Sequence, residues 1–242
     1  MSGLPGAYIT FWEDFLYHDN VTAEDLNETV GSSAVQAPTY AHGGWWRQSN
    51  DGGDADDCLL TGSLVWEVDE GQPLVAETRV KNDQVAASAA TGSGIFFGMT
   101  DAITESNGRN PIHAEAATLT TTATDAFGLL LDESTVSGTT NLNWYAAGVR
   151  SDVDTSLTAT TGTPLASAGV AQVLRLVATT ANSGTVRAYV GAEGAMGGGN
   201  LGATLTSAFN SATVLCVALG SDDRGDDADT DWDYIYVSAP RT

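Results

Sequence analysis

Basic residues are scarce in this 242-residue chain. Lys and Arg total 9 against 31 Asp and Glu, the formal charge is −22, and Lys81 is the sole lysine. So few cations give no basic face for neutralising phosphates, which excludes wrapping of DNA or RNA. The same shortage excludes a polybasic membrane anchor. Long apolar runs are missing as well, and nothing approaches the roughly 20 consecutive apolar residues of a membrane helix. Met1–Thr10 has no basic segment and no continuous apolar segment, so nothing there reads as a secretory signal. Cysteine is limited to Cys58 and Cys216. Cys216 sits in the apolar run Val214–Leu219, where a buried free thiol is the default and a disulfide to Cys58 the alternative.

Signatures of catalysis are equally sparse. There is no Gly-x-Ser-x-Gly elbow, P-loop or dinucleotide fingerprint. The glycines of Gly194–Gly202 lack the Gly-Lys-Ser/Thr of a phosphate cradle. His18, His42 and His113 are scattered and lack zinc-ligand spacing. The string Trp66-Glu67-Val68-Asp69-Glu70 puts Glu67 and Asp69 on one face of a strand, as a retaining glycosidase requires of its carboxylates. Gln72 stands where the general acid would follow, and an amide cannot protonate a leaving oxygen. The string therefore reads as a solvated strand end running into a turn, which argues against hydrolysis by this route.

What is present is strand signal from end to end. Hydrophobic residues make up 42% of the chain, enough for a sizeable core, and Gly contributes 27 residues. Leu74–Lys81 alternates, with Leu74, Ala76, Thr78 and Val80 on one face and Val75, Glu77, Arg79 and Lys81 on the other. Ile95–Met99, Phe127–Leu131 and Val214–Leu219 are apolar on both faces. They read as central strands covered on both sides, by the chain itself or by a neighbouring subunit. Val173–Val177 and Val186–Val190, joined through Asn182-Ser183-Gly184, form a hairpin. Only Thr22–Thr29 looks helical, with Thr22 as cap and Asp25 following three residues later. No repeat or linker divides the chain. The expectation is an all-β, two-sheet antiparallel sandwich of the concanavalin-like jelly-roll type, one domain over 11–242, with residues 1–10 as an N-terminal arm.

Two aspartate clusters stand out: Asp51, Asp54, Asp56 and Asp57, then Asp222, Asp223, Asp226, Asp227, Asp229, Asp231 and Asp233. Calcium takes several converging oxygens, so Asp222, Asp223, Asp226, Asp227 and Asp229 are its candidate ligands; the alternative is a solvated acidic loop. Neither cluster fits an EF-hand. Arg224-Gly225-Asp226 spells an integrin-recognition tripeptide, which this composition produces by chance. Trp45-Trp46 places adjacent indoles on opposite faces of a strand, one in the core and one exposed. Beside Asn and Asp, an exposed indole can stack on a sugar ring, so Trp45 and Trp46 are candidate glycan contacts, with core or interface packing as the alternative. Trp12 and Phe15 are expected to dock the first strand.

The order of segments is informative: Ile9–Phe15, LVAETRVK (Leu74–Lys81), GIFFGMTDA (Gly94–Ala102), TDAFGLLLD (Thr124–Asp132), NWYAAGVRSD (Asn143–Asp152), VLRLV (Val173–Val177) and DWDYIYV (Asp231–Val237). It resembles the concanavalin-like (laminin-G-like) β-sandwich virion proteins of tailed bacteriophages, several of which decorate the capsid exterior. The resemblance implies a non-enzymatic structural protein made in the host cytoplasm and assembled onto the head. Its partners would be the major capsid protein and further copies of itself, most simply as a trimer at local three-fold sites. It implies no nucleic acid, membrane or obligatory cofactor, with calcium the one candidate. A phage adhesin or fibre-associated carbohydrate-binding module is the competing class. The resemblance also implies that the carboxy-terminal strand pairs near the amino-terminal one, bringing Trp12 close to Trp232.

Overall fold

The computed structural model describes residues 8–15, 26–30, 35–37, 44–49, 56–63, 65–68, 72–83, 94–103, 110–115, 118–132, 142–154, 157–223 and 229–240. Almost all of them lie in or between antiparallel strands, and no α-helix occurs among them. The first sheet runs in the order β16 (Asn200–Leu205), β15 (Thr185–Ala192), β14 (Gln172–Thr179), β6 (Leu74–Asn82), β18 (Asp229–Pro240), β4 (Trp46–Ser49) and β3 (Val35–Ala37). Its last member, β1 (Tyr8–Glu13), also pairs with β18. The 12-residue β18 has β6 along one edge and two strands along the other: its first half pairs with β4 and its second half with β1.

The second sheet has the order β12 (Val153–Asp154), β11 (Tyr145–Arg150), β10 (Asp125–Asp132), β7 (Gly94–Thr100), β17 (Cys216–Asp223), β5 (Asp56–Gly62) and β2 (Leu26–Val30). β13 (Thr158–Ala159) also pairs with β11. Strands β8 (Ile112–Glu115) and β9 (Thr118–Thr121) form a separate hairpin.

Between the sheets lies a core built from alternate residues of each strand. The alternation expected of Leu74–Lys81 is realised: Leu74, Ala76, Thr78 and Val80 are buried and the residues between them half-buried. Trp46, Trp144 and Trp232 are fully buried, and two of these indoles meet glutamines. Trp232 Nε1 donates to Gln48 Oε1 at 2.8 Å, and Trp144 Nε1 to Gln172 Oε1 at 2.9 Å. Gln48 Nε2 crosses the sandwich to donate to the carbonyls of Cys58 and Leu219. An unpaired amide there would cost about 1–3 kcal/mol, so Gln48 ties the two sheets in one register. Cys58 and Cys216 are both buried and free.

The strands apolar on both faces, β7, β10 and β17, are neighbours in the middle of the second sheet. Their outer side is covered by the chain itself. Leu59, Phe96, Ala126, Ala147, Val149 and Ala218 pack beneath Ile112, Leu119, Ala123 and Leu157. Room for the Phe96 ring comes from Gly98 and Gly128, where a Cβ would lie only 2.5 Å from it.

Two expectations are corrected. Leu26–Thr29, read as part of a helix, belongs to the edge strand β2, which pairs with β5; the residues before Leu26 lie outside the described set. Pairing with an exposed sheet edge outweighs a weak capping signal. The amino- and carboxy-terminal strands do pair, but Trp12 faces Tyr236 and stacks on Tyr234, while Trp232 points into the core beside β4. Tyr8–Thr10, the described part of residues 1–10, form the first half of β1.

Candidate functional site

With the second sheet covered, the outer face of the first sheet is the more open face of the sandwich, although the Ala195–Gly199 segment lies over it at Gly191 and against Arg175. Alternation decides what it carries. From β6 come Glu77, Arg79 and Lys81, from β14 Arg175, from β15 Arg187 and Tyr189, and from β18 Asp231, Tyr234 and Tyr236. A β-bulge between Trp232 and Tyr234 adds Asp233 and reverses the alternation of β18. Before it Trp232 points inward; after it Ile235 and Val237 do, which leaves Tyr234 and Tyr236 outside.

Strand register aligns one complete row across six strands: Trp12, Tyr236, Glu77, Arg175, Tyr189 and Leu201. Trp12, 56% exposed, stacks on Tyr234 with ring centroids 5.0 Å apart and meets Tyr236 edge-on. Tyr234 donates its hydroxyl to Glu77 Oε1 at 2.8 Å, and Arg175 donates to Glu77 Oε2 at 3.1 Å. Burial, and then the Glu77 acceptor, push the Tyr234 phenol well above its usual range.

A second group surrounds Asp231, whose side chain is buried. Arg47 grips it through two bonds of 2.7 and 2.9 Å, and Lys81 approaches at 2.9 Å. Burial pulls the Asp231 carboxyl upward, but the hydrogen bonds from Arg47 and Lys81 prevail and hold it below the ordinary aspartate value. Arg47 also reaches Asp229 at 2.6 Å, and Arg79 pairs with Asp233 at 2.7 Å and Glu193 at 3.8 Å. The Trp45 ring lies under two cations, Arg79 at 4.8 Å and Lys81 at 4.9 Å. Each of the carboxylates Glu77, Glu193, Asp229, Asp231 and Asp233 therefore has a cation within 4 Å, an arrangement that fixes the shape of this face.

The candidates from sequence are distributed as follows. Trp46 is in the core, against Phe15, and Trp45 is half-buried on the outer face with its ring engaged by Arg79 and Lys81. Asp229 has its carboxylate on Arg47 and on the Ser49 hydroxyl, which donates at 2.6 Å. Asp222 is buried on β17 opposite Gly94, and Asp223 ends that strand. Asp226 and Asp227, with the Arg-Gly-Asp tripeptide, lie outside the described residues, as do Asp51, Asp54, His18 and His42. Among the described residues no group of three His, Cys, Asp or Glu converges on one point. Glu67 is exposed beside Trp66, whose contact with Leu215 is a single bridge; Asp69 and Glu70 lie outside the described set. Cys216 is inert as a nucleophile at neutral pH, since burial pushes its thiol up to about 12. The row through Trp12, Glu77, Arg175 and Tyr189 was not singled out from sequence. Its one legible signal is the polar side of Leu74–Lys81.

No family model and no curated protein matches the chain in sequence. Solved structures match it in fold. Peanut lectin superposes with a TM-score of 0.61 at 9% identity, covering 98% of this chain and 99% of the lectin. An endo-1,3-β-glucanase from Streptomyces sioyaensis gives 0.59 at 13% identity, with 100% of both chains covered. The carbohydrate recognition domain of Emp46p, in its potassium-bound form, gives 0.61 at 9% identity over 93% of this chain and 94% of that one. At such identities the likeness is one of architecture, and the chain has a concanavalin-like β-sandwich fold.

Proposed function

We propose that this protein is a non-enzymatic structural component of a tailed-bacteriophage particle, a decoration protein on the outside of the head that steadies contacts between capsomers of the major capsid protein. The observation that carries this reading is the ordered set of segments from Ile9–Phe15 to Asp231–Val237, which resembles such virion proteins and whose members fall on strands of one sandwich. The ion pairs of the outer face support it, because Arg47–Asp231, Arg79–Asp233 and Arg175–Glu77 tie neighbouring strands into a rigid surface. A charge of −22 suits a coat whose like-charged particles stay dispersed and do not adhere to DNA from lysed cells. The apolar faces of β7, β10 and β17 are covered from within, so capsid contact falls to loops and sheet edges, and weak contacts at several capsomers add through multivalency.

Purified particles labelled with antibody and viewed by electron microscopy test the proposal. Labelling at regular sites on the head is expected. Accumulation in infected cells with none on purified particles overturns it. A second reading, an adhesin or carbohydrate-binding module, is favoured by the half-exposed Trp12 and its stacked Tyr234, an aromatic surface of the kind that holds sugar rings. A glycan array with saturable hits that Trp12→Ala removes would establish that reading in place of the first.

A further inference from the structure

The geometry points to a site of self-cleavage: the chain cuts its own backbone between Asn110 and Pro111, with the Asn110 side-chain amide as nucleophile. The inference stands on the outer side of the second sheet alone and does not depend on where the protein resides.

Asn110 is fully buried, yet neither its Nδ2 nor its Oδ1 has a hydrogen-bond partner among the described residues. A buried amide left without partners costs stability, so its presence calls for a reason. It is held over Gly220 of β17, where a Cβ would lie only 1.7 Å from Asn110 Oδ1. The cross-strand neighbours of Gly220 are Leu59 on β5 and Phe96 on β7, both buried. The carboxamide therefore rests on an apolar floor, desolvated and with its nitrogen unengaged.

The next residue decides what such an amide can do. After most asparagines the following backbone N–H attacks the side chain and ammonia leaves; Pro111 has no N–H, so that route is closed. The reverse attack remains. Nδ2 adds to the Asn110 carbonyl carbon and closes a five-membered ring through Cα, Cβ and Cγ. The carbonyl oxygen that takes up the charge lies 3.2 Å from His113 Nδ1. With its proton on Nδ1, the imidazole donates to that oxygen and stabilises the developing oxyanion. Collapse breaks the bond from the Asn110 carbonyl carbon to Pro111 N, and the proton given up by Nδ2 ends on that nitrogen. The products are a C-terminal succinimide at residue 110 and a free amino terminus at Pro111, with no water consumed.

The two halves stay together after the cut. Strands β5, β6 and β7 lie before it and β10, β14, β17 and β18 after it. The pairs β5–β17, β6–β14, β6–β18, β7–β10 and β7–β17 therefore all join one half to the other. Asn110, His113 and Gly220 meet only in the folded chain, so folding is what arms the reaction. The new chain end stands at the start of the β8–β9 hairpin.

The test is to hold the purified full chain for weeks at physiological temperature and neutral pH, sampling by denaturing electrophoresis and intact-mass measurement. Fragments 1–110 and 111–242 should accumulate, and their masses should sum to that of the 25.0 kDa chain with no water added. On a native sizing column they should elute together. Asn110→Ala removes the nucleophile, and the orphaned amide with it, so this variant should fold and remain intact. His113→Leu should slow the reaction about a hundredfold. A wild-type chain that stays intact overturns the inference. So do the same fragments from Asn110→Ala, or fragments that already sum to the chain plus one water when they first appear, which mark hydrolysis by a protease. An unchanged rate in His113→Leu overturns the role given to His113.

Discussion

Asp231 shows how a strongly acidic chain places a carboxylate inside a sheet. The side chain is 1% exposed, while Arg47 and Lys81, which hold it, keep about a quarter of their surface in water. Removing one partner of a buried pair leaves the others desolvated and uncompensated, typically at 3–5 kcal/mol. Because both cations can turn toward solvent, Asp231→Ala is expected at the lower end, about 3 kcal/mol. Glu193 pairs with Arg79 across 3.8 Å and is 62% exposed, so Glu193→Ala is expected to cost less than about 1 kcal/mol. Urea midpoints of the two variants check the contrast, and equal losses would mean that Asp231 is not the anchor of the face. The sequence marks Asp231 only as one of seven aspartates in an acidic stretch. Its partner Arg47 lies 184 residues away, and local pattern carries nothing about a pair so distant.

At the scale of elements, the two sheets solve different problems. The first alternates buried and polar residues because one of its faces is open. The second is apolar on both faces of β7, β10 and β17 because other parts of the chain lie over it. Gly98 and Gly128, facing each other across β7 and β10, leave the space in which Phe96 lies flat. A Cβ at Gly128 would come within 2.5 Å of that ring and 2.6 Å of the Phe97 carbonyl oxygen. Gly128→Ala is therefore expected to destabilise the protein by about 3 kcal/mol through overpacking, measured by thermal or urea unfolding. A neutral result would show that Phe96 has another place to go. The strands themselves were legible: Leu74–Lys81, the Val173–Val190 hairpin, Ile95–Met99 and Phe127–Leu131 appear where their pattern puts them, whereas the run read as Val214–Leu219 becomes strand only from Cys216 and continues to Asp223. The bulge at Asp233 is also written in DWDYIYV, where apolar positions change from even (Trp232) to odd (Ile235, Val237). Leu26–Thr29, read as the end of a helix, is strand because so few residues of helical pattern look the same as a short edge strand until a partner strand is known.

The whole molecule balances self-repulsion against these local pairings, and pH separates the two. Burial raises the carboxyls of Asp83, Asp101 and Asp233 above the ordinary aspartate value, despite hydrogen bonds or cations that oppose it. Such groups take up protons more readily folded than unfolded, so their contribution is full at low pH and is lost as pH rises through their folded values. Asp231 is the reverse: its lowered value contributes stability above the unfolded pKa of about 3.9, lost as pH falls through the folded value. Protonating part of the excess of acids also relieves repulsion. The melting temperature is therefore expected to rise from pH 7 to about pH 5 and to fall below about pH 4. A steady fall from pH 7 downward would show that the paired carboxylates outweigh the buried, raised ones.

Composition and period were enough to determine the all-β class, the in–out assignment of most strands, the burial of Cys216 and the acidity, because each depends on residues close together in the chain or on totals alone. Tertiary structure decided which strands became neighbours. Register across distant strands, imposed by core packing and by Gln48 bridging both sheets, brought Arg47 to Asp231, Glu77 to Arg175 and Trp12 to Tyr234. It also gathered most of the rare cations on one face and laid other segments over the opposite one, which no reading of single strands contains.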